Sequence, residues 1–227
     1  MSARYERKYN LSPKELLEAE QRLSAALHRD EHCEYGPYHI RSIYLDGPKW
    51  PALWEKVSGT SPRRKYRIRF YNKLFHQPQL ECKMKSGEQI TKLSRPLSTK
   101  ELKDILHQRR TKLSNEPLMR QFQIDQRTNG LRPHITVDYL RLAFVHPLGK
   151  LRITLDTDLS TGPWRDWNSL SNMPVRVIDH SGILELKYTA LHPKFIQMIL
   201  PSLPSPQLAI SKYVLCHSQL AHPLRGL

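Results

Sequence analysis

Charged and apolar residues alternate with a period of two in several separate short segments, and this alternation points the chain toward sheet. In Lys65-Tyr66-Arg67-Ile68-Arg69-Phe70 the cations occupy one set of alternate positions and the apolar side chains the other. Successive side chains of a strand point to opposite faces, so each such segment presents one face that packs and one that is charged. Glu81-Cys82-Lys83-Met84-Lys85 and Glu185-Leu186-Lys187 repeat the pattern. Arg4, Glu6 and Lys8 share a face, as do Tyr139 and Arg141, and Arg152, Thr154, Asp156 and Asp158 lie opposite Leu151, Ile153 and Leu155.

Any one of these strands fits an antiparallel sheet with its charged face in water. Their recurrence favours a barrel with a charged interior, because closing a sheet turns one face of every strand inward. Two like charges about 4 Å apart repel by about 4 kcal/mol at an effective dielectric of roughly 20. Clustered cations therefore call for water or an anionic ligand. Arginine forks match phosphate oxygens bidentately, and lysine acts as a compact point charge. Interspersed glutamates suit a divalent metal that bridges phosphate oxygens.

The overall charge agrees with an anionic partner. Lysine and arginine total 36 against 21 acids, a formal net charge of +15, which concentrates anions around the protein. The 227 residues carry no internal linker, and one domain over 1–227 is expected. Cys33, Cys82 and Cys216 are odd in number and lack zinc-like spacing, so they read as reduced thiols in a cytoplasmic protein. The first residues have no apolar run of signal-peptide type, and no apolar stretch approaches the roughly 20 residues of a membrane span.

Ser12-Pro13-Lys14-Glu15 and Ser98-Thr99-Lys100-Glu101 are capping boxes, and they predict helices over 13–28 and from 99 onward. A shorter helix is expected at 193–200 and a helical turn at 53–57. Strands are expected at 5–10, 39–45, 64–71, 79–85, 135–145, 151–159, 175–178 and 183–188. Turns fall at Ser86-Gly87, Pro147-Leu148-Gly149 and His180-Ser181-Gly182, and Leu203-Pro204-Ser205-Pro206 is a connector before an apolar piece at 208–215. His146, His192 and His222 each precede a proline and read as loop. Asp156 and Asp158 read as salt-bridge or turn residues before metal ligands, the four tryptophans as packing or rim residues, and 162–172 as a loop.

Taken in order, seven pieces resemble the vacuolar transporter chaperone (VTC) domain, the polyphosphate polymerase branch of the triphosphate tunnel metalloenzymes. They are Arg4-Tyr5-Glu6-Arg7-Lys8-Tyr9, Ser42-Ile43-Tyr44-Leu45-Asp46, Lys65-Tyr66-Arg67-Ile68-Arg69, Leu80-Glu81-Cys82-Lys83, Tyr139-Leu140-Arg141, Leu184-Glu185-Leu186-Lys187 and Ser211-Lys212-Tyr213. The resemblance implies an α+β fold, an antiparallel β tunnel barrel with helices packed outside. It implies phosphoryl transfer from ATP or another nucleoside triphosphate onto inorganic polyphosphate, with manganese or magnesium as the ion. Lys8, Arg67, Arg69, Lys83, Arg141 and Lys212 are the implied catalytic cations. Lys92, Tyr139, Arg152, Lys187 and Ser211 are implied substrate contacts, with Glu185 the first implied metal ligand and Glu6 and Glu81 the weaker ones. Arg4 stands where the wider superfamily opens its Glu-x-Glu-x-Lys motif, a swap found in the polymerase branch. The fungal polymerases also carry an inositol-phosphate-sensing domain and membrane helices, which this chain lacks, so a membrane partner is one way to export a product.

Three other readings use the same cations. A metal-dependent triphosphatase differs only in using water as the attacking group. A non-catalytic polyphosphate sensor needs binding alone. A single-strand nucleic-acid binder interleaves basic and aromatic residues as 65–71 does, but Tyr66 and Phe70 fall on the apolar side of that segment, so nucleic acid is not the expected partner.

Overall fold

The computed structural model describes residues 5–87, 89–146, 150–178, 181–189, 193–201, 203 and 210–221. Arg4, the turn at 147–149, His180, His192, His222, the connector residues Pro204-Ser205-Pro206 and the start of the 208–215 piece lie outside the described residues. Ten strands form among the described residues: β1 (Tyr5–Leu11), β2 (His28–Arg29), β3 (Tyr38–Asp46), β4 (Arg63–Tyr71), β5 (Gln79–Ser86), β6 (Gln89–Pro96), β7 (Arg132–His146), β8 (Leu151–Pro163), β9 (Val175–Arg176) and β10 (Gly182–Tyr188). The helices are α1 (Pro13–Ala26), α2 (Pro51–Val57), α3 (Thr99–Leu106), α4 (Pro117–Asn129), α5 (Pro193–Ile199) and α6 (Lys212–Ala221). The hydrogen-bonded strand order is β1-β10-β8-β7-β3-β4-β5-β6, with β2 on β7 and β9 on β8. No helix among the described residues is long and apolar enough to cross a membrane.

Although no linker divides the chain, its contacts group into two compact units of interleaved segments. The first takes residues 1–39, 139–160 and 176–215. Its β1 and β10 pair antiparallel from Tyr5 opposite Tyr188 to Leu11 opposite Gly182, and β10 pairs β8 from Ile183 opposite Asp156 to Lys187 opposite Arg152. Tyr9, Leu11, Leu184, Leu186, Ile153 and Leu155 are buried. A Cβ at Gly182 would meet the Leu16 side chain of α1 at 2.8 Å, so glycine lets that helix approach the sheet. Both halves of the capping box at Ser12 form. The helix stops at Ala26, two residues short of expectation, because His28 and Arg29 pair with Val145 and Phe144 of β7.

The second unit takes residues 40–138, 161–175 and 216–227. Here β4 pairs with β3 and β5, and β5 with β6, all antiparallel. Ile43, Leu45, Tyr66, Ile68, Phe70, Leu80 and Cys82 form one apolar face, covered by Leu102, Ile105 and Leu106 of α3 and Leu118, Met119 and Phe122 of α4. The Tyr66 hydroxyl donates to Asp125 Oδ2 at 2.7 Å and ties β4 to α4, and the Tyr66 and Phe122 rings meet edge to face at 5.3 Å. Neither α4 nor β6 is expected from the sequence. The helix starts on Glu116, whose carboxylate accepts from the Leu118 and Met119 amides, with Pro117 at the first position, and Gly130 closes it at φ 62°. In β6 nearly every residue is exposed, so no apolar alternation announces it. Pairing with β5 forms it.

The loop at 162–172 has a structural anchor. Arg41, fully buried, donates through Nε and Nη2 to both carboxylate oxygens of Asp138, at 2.7 and 2.6 Å. Its remaining donors reach the carbonyls of Trp167, Ser169 and Ser171. Trp167 in turn stacks on Phe70 at 5.1 Å. Removing one member of a buried ion pair strands the other charge. Asp138→Ala is therefore expected to lower the unfolding free energy by about 3–5 kcal/mol, read from urea denaturation, and Arg41→Met with Asp138→Leu to recover part of that loss.

Candidate functional site

The charged residues expected from the sequence fall into two clusters, one within each unit. In the second unit the face of the sheet opposite α3 and α4 carries Lys65, Arg67 and Arg69 on β4, Glu81 and Lys83 on β5, and Lys92 on β6. Their registers place Lys65 opposite Lys83 and Lys83 opposite Lys92, three lysines in one row across adjacent strands. Directly opposed like charges destabilise a sheet. The row beside it holds Arg67 opposite Glu81, with Tyr44 of β3 on the other side of Arg67.

Glu81 is the one carboxylate among these five cations. Arg67 donates to its Oε2 from Nε at 2.7 Å and Nη2 at 2.6 Å, and Arg69 Nη1 lies 3.6 Å from the same oxygen. Lys92 Nζ lies 2.7 Å from Oε1. Burial alone would raise the Glu81 pKa, but Arg67, Arg69 and Lys92 outweigh it and hold the group at about 2. Burial lowers the pKa of Lys92, assisted by Arg67 and Arg69 and opposed by Glu81. The Tyr44 ring supports two of the cations, with Lys65 Nζ 4.6 Å and the Arg67 guanidinium 6.0 Å from its centroid.

The first unit builds a different arrangement. Asp156, fully buried, accepts two hydrogen bonds from Arg141, at 2.6 and 2.7 Å, and is 2.6 Å from Lys212 Nζ. The Tyr139 ring lies beneath both cations, 5.3 Å from the Arg141 guanidinium and 5.0 Å from Lys212 Nζ. Beside them Lys8 is opposite Glu185 and Lys187 opposite Glu6 across β1 and β10. Lys187 lies 2.6 Å and Arg141 3.9 Å from Glu185, while Lys8 lies 3.3 Å from Glu6 and donates to the Ile210 carbonyl. Burial opposes ionisation of Asp156 and Glu185, and the surrounding cations hold both carboxyls below their usual range. Burial likewise opposes charge on Arg141 and Lys212, and Asp156 keeps both firmly protonated.

The implied residues are thus distributed between the units. Lys8, Glu6, Tyr139, Arg141, Arg152, Glu185, Lys187, Ser211 and Lys212 belong to the first, and Arg67, Arg69, Glu81, Lys83 and Lys92 to the second. Arg152 pairs with Asp30 at 2.6 Å on the rim of its cluster. Ser211 precedes α6, where its carbonyl accepts from Leu215. Asp156 does act as a salt-bridge residue and orients Arg141 and Lys212. Lys65, Tyr44 and Asp30 are members that sequence analysis does not assign. For Lys65 the parity it shares with Arg67 and Arg69 is a usable signal, whereas nothing in the sequence pairs Asp30 with Arg152.

Among the described residues no group of three His, Cys, Asp or Glu side chains forms a metal-binding cluster. Glu6 and Glu185 share a face of adjacent strands and offer two carboxylates. That donor set suits a hard divalent ion that keeps phosphate oxygens and water in its remaining positions. Both oxygens of Glu81 lie against arginine and lysine, so in this structure it serves as their counter-ion.

The profile of the VTC domain matches residues 3–221. The chain belongs to the VTC domain family. No curated protein matches the chain at a significant level. Among solved structures the VTC chain is similar to the putative adenylyl cyclase HpAC1 from Hippeastrum, described as having a dominant triphosphatase activity, at 14% identity and a TM-score of 0.56 over 95% of this chain and 96% of that one. It is also similar to the PH1012 protein from Pyrococcus horikoshii OT3, at 10% identity and a TM-score of 0.50 over 93% and 99%. The fold is accordingly the antiparallel α+β fold of the triphosphate tunnel proteins.

The depressed Glu81 pKa sets a pH dependence for this VTC domain. A carboxyl whose folded pKa is about 2 against an ordinary 4.5 adds stability above 4.5, and that stability fades as pH falls toward 2. Its size is on the order of 3 kcal/mol from the shift. Glu81→Gln should be less stable than the native chain by about that amount at pH 7, and the gap should shrink as pH is lowered from 5 toward 2, measured by urea unfolding at each pH.

Proposed function

We propose that this VTC domain transfers phosphoryl groups from a nucleoside triphosphate such as ATP to inorganic polyphosphate. The observation that supports this most is the concentration of cations about one carboxylate on the β4-β5-β6 face, including the row Lys65-Lys83-Lys92. Such a row loses its mutual repulsion when a polyanion neutralises it. Membership of the VTC domain family supports a triphosphate-directed enzyme.

In this reading Arg67, Arg69, Lys83 and Lys92 bind phosphate oxygens through guanidinium and ammonium donors. Arg141 and Lys212 are held by Asp156 and backed by the Tyr139 ring, so their positive charge is fixed before the substrate arrives. A preorganised charge of this kind stabilises developing negative charge without reorganisation. Lys8, Lys187, Arg152 and the Ser211 hydroxyl hold further phosphate oxygens. A terminal oxygen of the polyphosphate chain attacks the γ-phosphorus, the bond to the bridging oxygen breaks, and the nucleoside diphosphate leaves with that electron pair. The attacking phosphate is already ionised, so no side chain serves as a general base. Glu6 and Glu185 would hold a manganese or magnesium ion, which when bound would supply positive charge against the phosphate groups.

Hydrolysis in place of transfer is the second reading, favoured by the triphosphatase activity described for the similar HpAC1 structure. One assay separates the two. With ATP and manganese, the purified chain should form a polyphosphate ladder on a urea gel, whereas orthophosphate released without a ladder assigns the triphosphatase. Lys212→Ala should lower the rate by at least about a hundredfold, as loss of a preorganised charge does elsewhere, and Glu185→Ala should shift the manganese dependence. Full activity in both variants overturns the site assignment. Independently of turnover, tripolyphosphate at a hundredfold excess over its Kd should stabilise the fold by about 2.7 kcal/mol, and a thermal melt that responds to single-stranded DNA but not to tripolyphosphate would contradict the proposal.

A further inference from the structure

Arg152 differs from the other cations of the first unit in the source of its counter-ion. Its register partner on β10 is Lys187, so two cations oppose each other directly on the charged face of the sheet. Such a pair is destabilising unless each charge is balanced. Lys187 has Glu185 of its own strand at 2.6 Å. The partner of Arg152 comes from outside these two strands: Asp30, which caps the short turn Glu31–Cys33, accepts from Arg152 Nη1 at 2.6 Å.

Backbone contacts set Asp30 in place. Its amide donates to the Ala143 carbonyl of β7 at 2.9 Å, its carbonyl accepts from the Cys33 amide at 2.7 Å, and Cys33 Sγ accepts from the Ala143 amide at 3.2 Å. The Asp30 carboxylate is divided between two neighbours. Oδ2 faces Arg152, while Oδ1 accepts from the His32 amide at 3.2 Å and lies 3.0 Å from His32 Nδ1. Burial opposes ionisation of Asp30, but the His32 amide and Arg152 outweigh it and hold the carboxyl below its usual range. The His32 side chain is 64% exposed and that of Asp30 9%, so His32, Asp30 and Arg152 run from solvent into the cluster. Glu31 lies 3.6 Å from His32 Nδ1, and the Tyr38 ring is 6.1 Å from the imidazole. Burial raises the pKa of Tyr38 and of Cys33, so both stay neutral near pH 7, and Arg29 and Arg141, which act on them, are cationic throughout. Imidazole is the group among these whose type changes charge between pH 5 and 8.

We propose, taking Arg152 as a phosphate contact as in the reading above, that Asp30 is its positioning residue and that His32, by sharing the Asp30 carboxylate, strengthens this phosphate subsite as pH falls. With a neutral imidazole the charge of Asp30 balances that of Arg152. Protonation places a positive charge beside Oδ1 and takes the trio from net zero to +1, while Oδ2 continues to direct the guanidinium. A polyanion lying against Arg152 and Lys187 then meets a cation that is no longer fully compensated, and binds more tightly.

The test is calorimetric titration of the full chain with tripolyphosphate at low ionic strength, at about pH 8 and about pH 5.5, on either side of the ordinary imidazole range. The native chain is compared with His32→Gln, which keeps a polar side chain at this exposed position but does not titrate. Tripolyphosphate takes up protons itself, and the quotient of the two Kd values at each pH cancels that contribution. The quotient of the His32→Gln Kd over the native Kd should be about two- to fivefold larger at the lower pH, the range of a partly exposed ion pair. Arg152→Ala should weaken binding at both pH values, and in its background the quotient should not change with pH. Asp30→Asn should likewise remove the pH dependence of the quotient, with thermal melting of each unliganded variant checking that it folds. A quotient that is flat in the native background, a pH dependence that survives Arg152→Ala, or an Arg152→Ala chain that binds as tightly as the native one would each overturn the proposal while phosphate binding stands. Failure of tripolyphosphate to bind the native chain at either pH would instead contradict the phosphate-site reading beneath it.

Discussion

Mutual repulsion of cations on one sheet face is the constraint around which the second unit is organised. Lys65, Lys83 and Lys92 stand in register across three strands, a pairing that costs energy in an unliganded sheet. The unit tolerates it in two ways. Glu81 gathers Arg67, Arg69 and Lys92 around a carboxyl kept ionised by their field, and the opposite face of the same strands packs onto α3 and α4 through a continuous apolar core. That core secures the strands while the charged face remains in excess of cations. A sheet so arranged is set up to receive negative charge.

The first unit meets the same problem by a different balance. Asp156 is removed from water and shared by Arg141 and Lys212, with the Tyr139 ring beneath both. Glu6, Lys8, Glu185 and Lys187 then alternate in sign across β1 and β10. Arg141 and Lys212 are rigidly placed here, since a buried carboxylate fixes their direction. Oriented charge serves a transition state better than mobile charge does, which is why Arg141 and Lys212 carry the catalytic weight in the proposed reaction and the lysine row the binding. Of the three carboxylates that sequence analysis grouped as metal ligands, the surroundings divide them: Glu6 and Glu185 share a face, and Glu81 is occupied as a counter-ion.

Much of this is legible in the sequence alone. Capping boxes at Ser12 and Ser98 start α1 and α3, because they are local hydrogen-bond patterns complete within four residues. The strand segments carrying the cations begin and end within a few residues of expectation. Elements formed by partners were not legible. β6 has exposed residues almost throughout and exists because β5 offers it a ladder. Arg41 shows the same limit. It lies on the apolar side of β3 with Ile43 and Leu45, where a charge looks misplaced, and only Asp138 and three carbonyls of a distant loop explain it.

The sequence by itself determined which side chains share a face, since the two-residue period of a strand is a property of the backbone and needs no partner. It also determined the excess of positive charge and the ordered motifs by which the VTC domain family is recognised. Only the tertiary structure decided which acid neutralises which base: that Asp156 serves Arg141 and Lys212, that Asp30 serves Arg152, and that Glu81 is a counter-ion. Those pairings depend on register between strands far apart in the chain, and Coulomb attraction between them acts only after the sheet has brought them within a few ångströms.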